Sequence, residues 1–122
     1  GKIKSFKDLQ VYQLAFDAAL EIHDITKSFP EEEKYALTEQ IEEVQGLYVP
    51  TLVKHRENAD TKEFFSKLSD SEAEATETQI HIDFSFSFKY IDDATHDRLY
   101  DQYEHILAML INMSGQADKW KI

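Results

Sequence analysis

The chain has 122 residues, no cysteine, two prolines and three glycines, and 13 basic against 24 acidic side chains give it a formal charge of −11. That length suits one domain, 1–122, with a real core, and the missing cysteines exclude disulfides and thiolate metal or redox chemistry. The acidic balance argues against nucleic-acid binding, which draws on clustered Lys and Arg, and so few Gly and Pro argue against a turn-rich all-β fold.

The first predicted helix runs from about Phe6 to Ser28. Ser5 can cap it, with Asp8 as the capping-box partner. Val11, Ala15, Ala18, Ile22, Ile25 and Phe29 recur at steps of three and four and form one apolar face, which Leu9, Tyr12, Phe16 and Leu20 widen. Phe29-Pro30 breaks the pattern, because a residue before proline disfavours helix. Pro30 then suits the first position of a second helix, with Glu31, Glu32 and Glu33 in its first turn, where carboxylates favour the helix N-terminus. This helix is expected to reach about Glu57. Its core face is Leu37, Ile41, Val44, Tyr48, Leu52 and His55, with a kink near Gly46–Pro50 caused by the interior proline.

Asn58-Ala59-Asp60 reads as a turn, and Asp60 with Glu63 as cap and capping-box partner of a third helix from Thr61 to about Tyr90. Phe64, Phe65, Leu68, Ala75, Ile80, Phe84 and Phe88 are among its apolar residues. Residues 80–89 alternate apolar and polar, which taken alone is the signature of a half-buried strand. Helix is preferred because no second strand exists to pair with it, the run continues Glu72–Gln79 without a break, and no turn signal comes before Asp92-Asp93. An aromatic, partly exposed face is expected there. Asp92 or Asp93 caps the last helix, which carries the inner stripe Leu99, Tyr103, Ile106, Leu110 and Met113 and stops near Ser114-Gly115. Four such helices on short loops make an all-α, antiparallel up-down-up-down four-helix bundle.

The negative charge is uneven. Residues 31–60 hold eight acids against three bases, whereas residues 1–30 are balanced at four of each. No apolar run approaches the ~20 residues of a membrane span, no secretory signal is read at the start, and no basic flanks accompany an apolar face, so a soluble cytoplasmic protein without membrane contact is expected.

Ser5-Phe6-Lys7-Asp8-Leu9-Gln10-Val11-Tyr12-Gln13 resembles the opening of the small bacterial four-helix-bundle proteins called 23S ribosomal RNA intervening-sequence proteins. Residues 26–41, around Phe29-Pro30-Glu31, resemble the same family, as do Thr61-Lys62-Glu63-Phe64 and residues 74–80 in the third helix. The resemblance implies a left-handed bundle and a tendency toward ring-like homo-oligomers. It implies no enzyme, and the family name, which records where the genes sit, does not imply RNA binding.

The departure from the family lies in helix two. After Gln40-Ile41 the family usually has a pair of arginines, small residues and an Asn-Ile-Ala-Glu-Gly-like run. Here the chain has Glu42-Glu43-Val44-Gln45-Gly46-Leu47-Tyr48, and only Val49-Pro50-Thr51 keeps the family's proline step. Gly46, Val49 and Val53 fall at i, i+3, i+7, roughly opposite Leu37, Ile41 and Val44, with Leu52 between the stripes. Such a stripe marks either a partner or subunit interface, with Leu47 or Leu52 contributing, or a helix buried on two sides within the bundle. A foreign block in a family-like chain, with Gly rather than Met at position 1, is the trace that a redesigned contact surface would leave; a diverged natural homo-oligomer leaves it too.

No phosphate loop, nucleophile elbow or His-Glu-x-x-His pair is present, and there is no Glu-x-x-His of the kind di-metal bundles use. Glu77 with His81 and Asp101 with His105 stand at i, i+4, where solvated polar pairs are the simpler reading than a metal site. No catalytic residue, metal or cofactor is therefore expected. Of His23, His55, His81, His96 and His105, His55 and His81 lie in or near the unusual surface and could make binding pH-dependent. The expected function is a non-catalytic protein-binding or assembly module. Its contact residues are Gly46, Leu47, Val49, Leu52, Val53, His55 and His81, and it acts through a protein partner or self-association.

Overall fold

The computed structural model describes residues 10–36 and 62–115. Their regular structure is entirely helical: α1 is Gln10–Ile25, α2 comprises the helical residues 31–36, α3 is Lys62–Ser87 and α4 is Asp93–Gly115. A 3-10 turn, Thr26–Ser28, follows α1. The caps predicted for α1 and α3, Ser5 and Asp60, and the kink near Gly46–Pro50 lie outside the described residues.

The core is set by apolar residues at heptad-like spacing. On α1 these are Val11, Ala15, Ala18 and Ile22, with Phe29 beyond the 3-10 turn; on α4 they are Leu99, Tyr103, Ile106, Leu110 and Met113. Alternating steps of three and four keep one seam facing the neighbouring helix, the geometry of near-parallel bundle packing. Burial pushes the phenol of Tyr103 far above its ordinary range. Phe16 and Leu20, read as widening the α1 face, are instead exposed. At about 100° per residue they sit well round the helix from Ala15, off the seam that faces the core.

The α3 seam has a composition of its own. Leu68, Ala75 and Ile82 alternate along it with Ser71, Thr78 and Ser85, and all six are buried. Each hydroxyl donates to the backbone carbonyl four residues earlier: Ser71 to Lys67 at 2.9 Å, Thr78 to Glu74 at 3.0 Å and Ser85 to His81 at 2.8 Å. This back-bonding meets the requirement that a buried hydroxyl find an acceptor, and it leaves a short side chain that lets a neighbouring helix approach. Residues 80–87 are helix and not strand, and the helix ends at Ser87, three residues before the predicted Tyr90. Only Ile82 and Ser85 of this stretch turn inward.

Short polar contacts fix the helix order. Gln79, buried on α3, donates from Nε2 to Glu104 Oε1 at 2.7 Å and to the Tyr100 carbonyl at 3.3 Å on α4. Asp83 meets His96 one turn further on, so α3 and α4 are antiparallel. Glu21 of α1 accepts from Arg98 and from Gln102 on α4, and Phe29 lies 5.2 Å from Tyr90 between ring centroids, so α1 is antiparallel to α4 as well. Hence α1 and α3 run the same way, and the chain enters α3 at the end opposite the one where α1 leaves off. That is the relation an up-down-up-down order requires of these three helices.

The ends are specified locally. Phe29 is extended at φ −76°, ψ 155°, as a residue before proline should be. Pro30 accepts from the Lys34 N–H at 3.0 Å, so it stands at the cap of α2, one residue before the position predicted for it. At the end of α3, Tyr90 N–H bonds the Ser85 carbonyl at 2.8 Å and Lys89 N–H bonds Phe86 at 2.9 Å, with Lys89 left-handed at φ 65°. This is a Schellman closure made without glycine. Asp92, and not Asp93, caps α4: its Oδ1 accepts from the Thr95 N–H at 2.8 Å, and hydrogen bonds from Thr95, that of its side chain foremost and then its backbone N–H, hold the carboxyl below the usual range. Gly115 lies inside the last turn of α4, with no left-handed φ.

Candidate interaction surface

Burying Leu68, Ala75 and Ile82 on α3 forces residues half a turn away to face outward. Ile80, Phe84 and Phe88 follow at i, i+4, i+8 and are 49%, 52% and 55% exposed. Phe84 and Phe88 stack at 6.1 Å, which joins them into one continuous ridge. At about 100 Å² for each side chain the ridge presents roughly 300 Å² of apolar surface, the scale at which a monomer's largest patch is often functional.

Beside the ridge lies a second aromatic group. Phe86 meets His96 at 5.0 Å, and His96 stacks on Tyr100 at 5.6 Å. His96 Nε2 lies 2.7 Å from Asp83 and Nδ1 lies 2.9 Å from Asp97, with one carboxylate on each helix. These hydrogen bonds, the one to Asp83 foremost, favour the imidazolium and raise the pKa of His96. The histidine that the geometry singles out is therefore neither His55 nor His81, the two preferred on sequence pattern.

Further along the same outward side, an open groove of about 560 Å³ lies between α3 and α4. Ala73 and Thr76 of α3 and Ala108 and Ile111 of α4 supply its small and apolar lining, and Glu72 and Glu104 flank it. Small side chains at facing positions create the groove, and the spacing Ala73, Thr76, Ile80 puts the ridge on the same face of α3.

Of the predicted contact residues, His81 is half-buried on α3 beside Phe84 and Phe88, and its carbonyl holds Ser85. Gly46, Leu47, Val49, Leu52, Val53 and His55 lie outside the described residues. His105 and Asp101 form an exposed pair at 3.5 Å. Among the described residues no three His, Asp or Glu side chains converge as a metal would require, and no helix is long and apolar enough to cross a membrane.

The family model for 23S rRNA-intervening sequence protein matches residues 7–112. The chain belongs to this family. No curated protein and no solved structure matches it. The matched span takes in all of α3 and most of α4, so the ridge and the whole groove lie within the part of this intervening-sequence protein that the family model covers.

Proposed function

We propose that this intervening-sequence protein is a non-catalytic protein-binding or assembly module. The observation that carries this reading is the exposed ridge Ile80, Phe84 and Phe88. A bundle gains nothing in its own stability by holding stacked aromatics in water, whereas a contact surface does gain from them. The helix-two stripe of Gly46, Val49 and Val53, with Leu47, Leu52 and His55, extends the reading on its sequence pattern, as does its departure from the family there, where a redesigned or diverged surface would show. Self-association into a homo-oligomer is the second form of the same reading, favoured by the helix-two stripe. A protein of charge −11 is poorly suited to nucleic acid or to anionic membrane.

Size-exclusion chromatography with light scattering tests the proposal on the full chain, on Ile80→Ser/Phe84→Ser and on Val49→Glu/Val53→Glu, alongside pull-down with each. Loss of a complex or oligomer with helicity and thermal midpoint kept is the expected result. Unfolding of both variants, or assembly and capture identical to the unmutated chain, would overturn it.

A further inference from the structure

We infer that the α3–α4 groove is a docking site for a basic amphipathic helix of a partner protein. The inference rests on the binding-module reading but on different residues. Ala73, Thr76, Ala108 and Ile111 give the groove a shallow apolar lining, and Ile111 is 60% exposed, so nothing among the described residues covers it. From Ser69 to Thr76 the groove follows two turns of α3, about 10 Å at 1.5 Å per residue. A helix laying an i, i+3 or i+4, i+7 row of apolar side chains along it fits that length, and the small residues allow the close approach that a helix backbone needs.

Charge selects the kind of helix. The lining includes two carboxylates, Glu72 and Glu104, and no Lys, Arg or His. Across the two helices α3 carries six acids against two bases and α4 four against one, and the single α4 base, Arg98, is paired to Glu21 on the opposite side. Lys and Arg flanking an apolar row would meet this field. A second copy of the chain, itself at −11, would bring like charge to it. Glu104 is also held in place, because Gln79 fixes its Oε1 at 2.7 Å.

The probe is a labelled 16-residue Leu/Ala/Lys amphipathic peptide, read by fluorescence anisotropy against the full-length protein. Its controls are the same peptide with Lys replaced by Glu and a scrambled Leu/Ala/Lys peptide of equal charge. Ala108→Trp fills the groove without altering charge, and Ala73→Trp repeats the block from the other wall. Both positions are exposed, so circular dichroism and thermal midpoint should stay close to those of the unmutated chain. Glu31→Gln/Glu32→Gln removes two charges remote from the groove. The basic amphipathic peptide should bind, each Trp variant should weaken it at least about tenfold, and raised salt should weaken it further. The remote variant should change affinity less than about twofold. Equal binding of the scrambled peptide, or affinity unmoved by both Trp variants, would overturn the inference. So would a homodimer that Ala108→Trp dissolves, since a second copy would then be the occupant. If the peptide fails to bind while Ile80→Ser/Phe84→Ser still abolishes a complex, the groove assignment falls and the binding-module reading stands.

Discussion

Lys89 closes α3 in the left-handed region at φ 65°, a position helices normally give to glycine. A side chain there brings Cβ toward the following carbonyl, at a cost of about 1–2 kcal/mol. Lys89→Gly removes that contact. Against the gain stand the extra freedom of glycine in the unfolded chain, about 0.5–1 kcal/mol, and the loss of a cation near the α3 C-terminus, about 0.3 kcal/mol for an exposed group. The balance is a stabilisation of up to about 1 kcal/mol, or a rise of a few degrees in thermal midpoint for a domain of this size. Lys89→Ala separates the causes, because it loses the charge and keeps Cβ. Thermal unfolding followed by circular dichroism should place Lys89→Gly above the unmutated chain and Lys89→Ala at or slightly below it. If Lys89→Gly falls to the level of Lys89→Ala, the left-handed strain has no measurable cost and the account of the α3 closure is wrong.

The paired carboxylates around His96 make stability pH-dependent. Its pKa is raised in the folded chain, so its contribution is complete below the ordinary histidine range and lost as pH rises through its own higher value. Urea midpoints should therefore fall between about pH 6 and pH 8. His96→Asn should flatten that slope, and a slope retained in the variant would place its origin elsewhere. Along α3 the neighbours Ile82 and Phe84 should respond oppositely. Ile82→Ala empties a site only 1% exposed and should cost about 2–4 kcal/mol. Phe84→Ala, at a half-exposed position, should cost less than about 1 kcal/mol. Equal losses measured by urea unfolding would mean that the ridge belongs to the fold and not to a contact.

The α4 stripe was readable from sequence because its core positions are all large and apolar, and Leu99 through Met113 appear where the spacing puts them. The α3 seam was not. Half of its positions are Ser71, Thr78 and Ser85, and a search for apolar periodicity passes over hydroxyls that turn inward and bond their own backbone. The aromatic, partly exposed face expected over residues 80–89 is there, but the sequence pattern did not tell which of its residues turn in, because alternating apolar residues look alike from either side. The groove had no sequence signal at all, since Ala73 and Ala108 matter only once two helices set them opposite each other.

The first two of these gaps have one physical origin. A helix of fixed period has a limited arc for its core, and on α3 only Leu68 and Ile82 of that arc are large, whereas Ser71, Ala75, Thr78 and Ser85 are small. Small residues allow the close approach of a neighbour but contribute little apolar burial of their own. The helix nonetheless carries large apolar residues, and it carries them on the arc that the bundle leaves uncovered. A chain selected for its own stability alone would reverse that arrangement, with phenylalanine inward and serine outward, because each full burial of a large side chain is worth about 1.5–3 kcal/mol. That the aromatics stand outward on α3, while α1 and α4 keep their seams apolar, is the pattern expected of a helix that serves two surfaces at once.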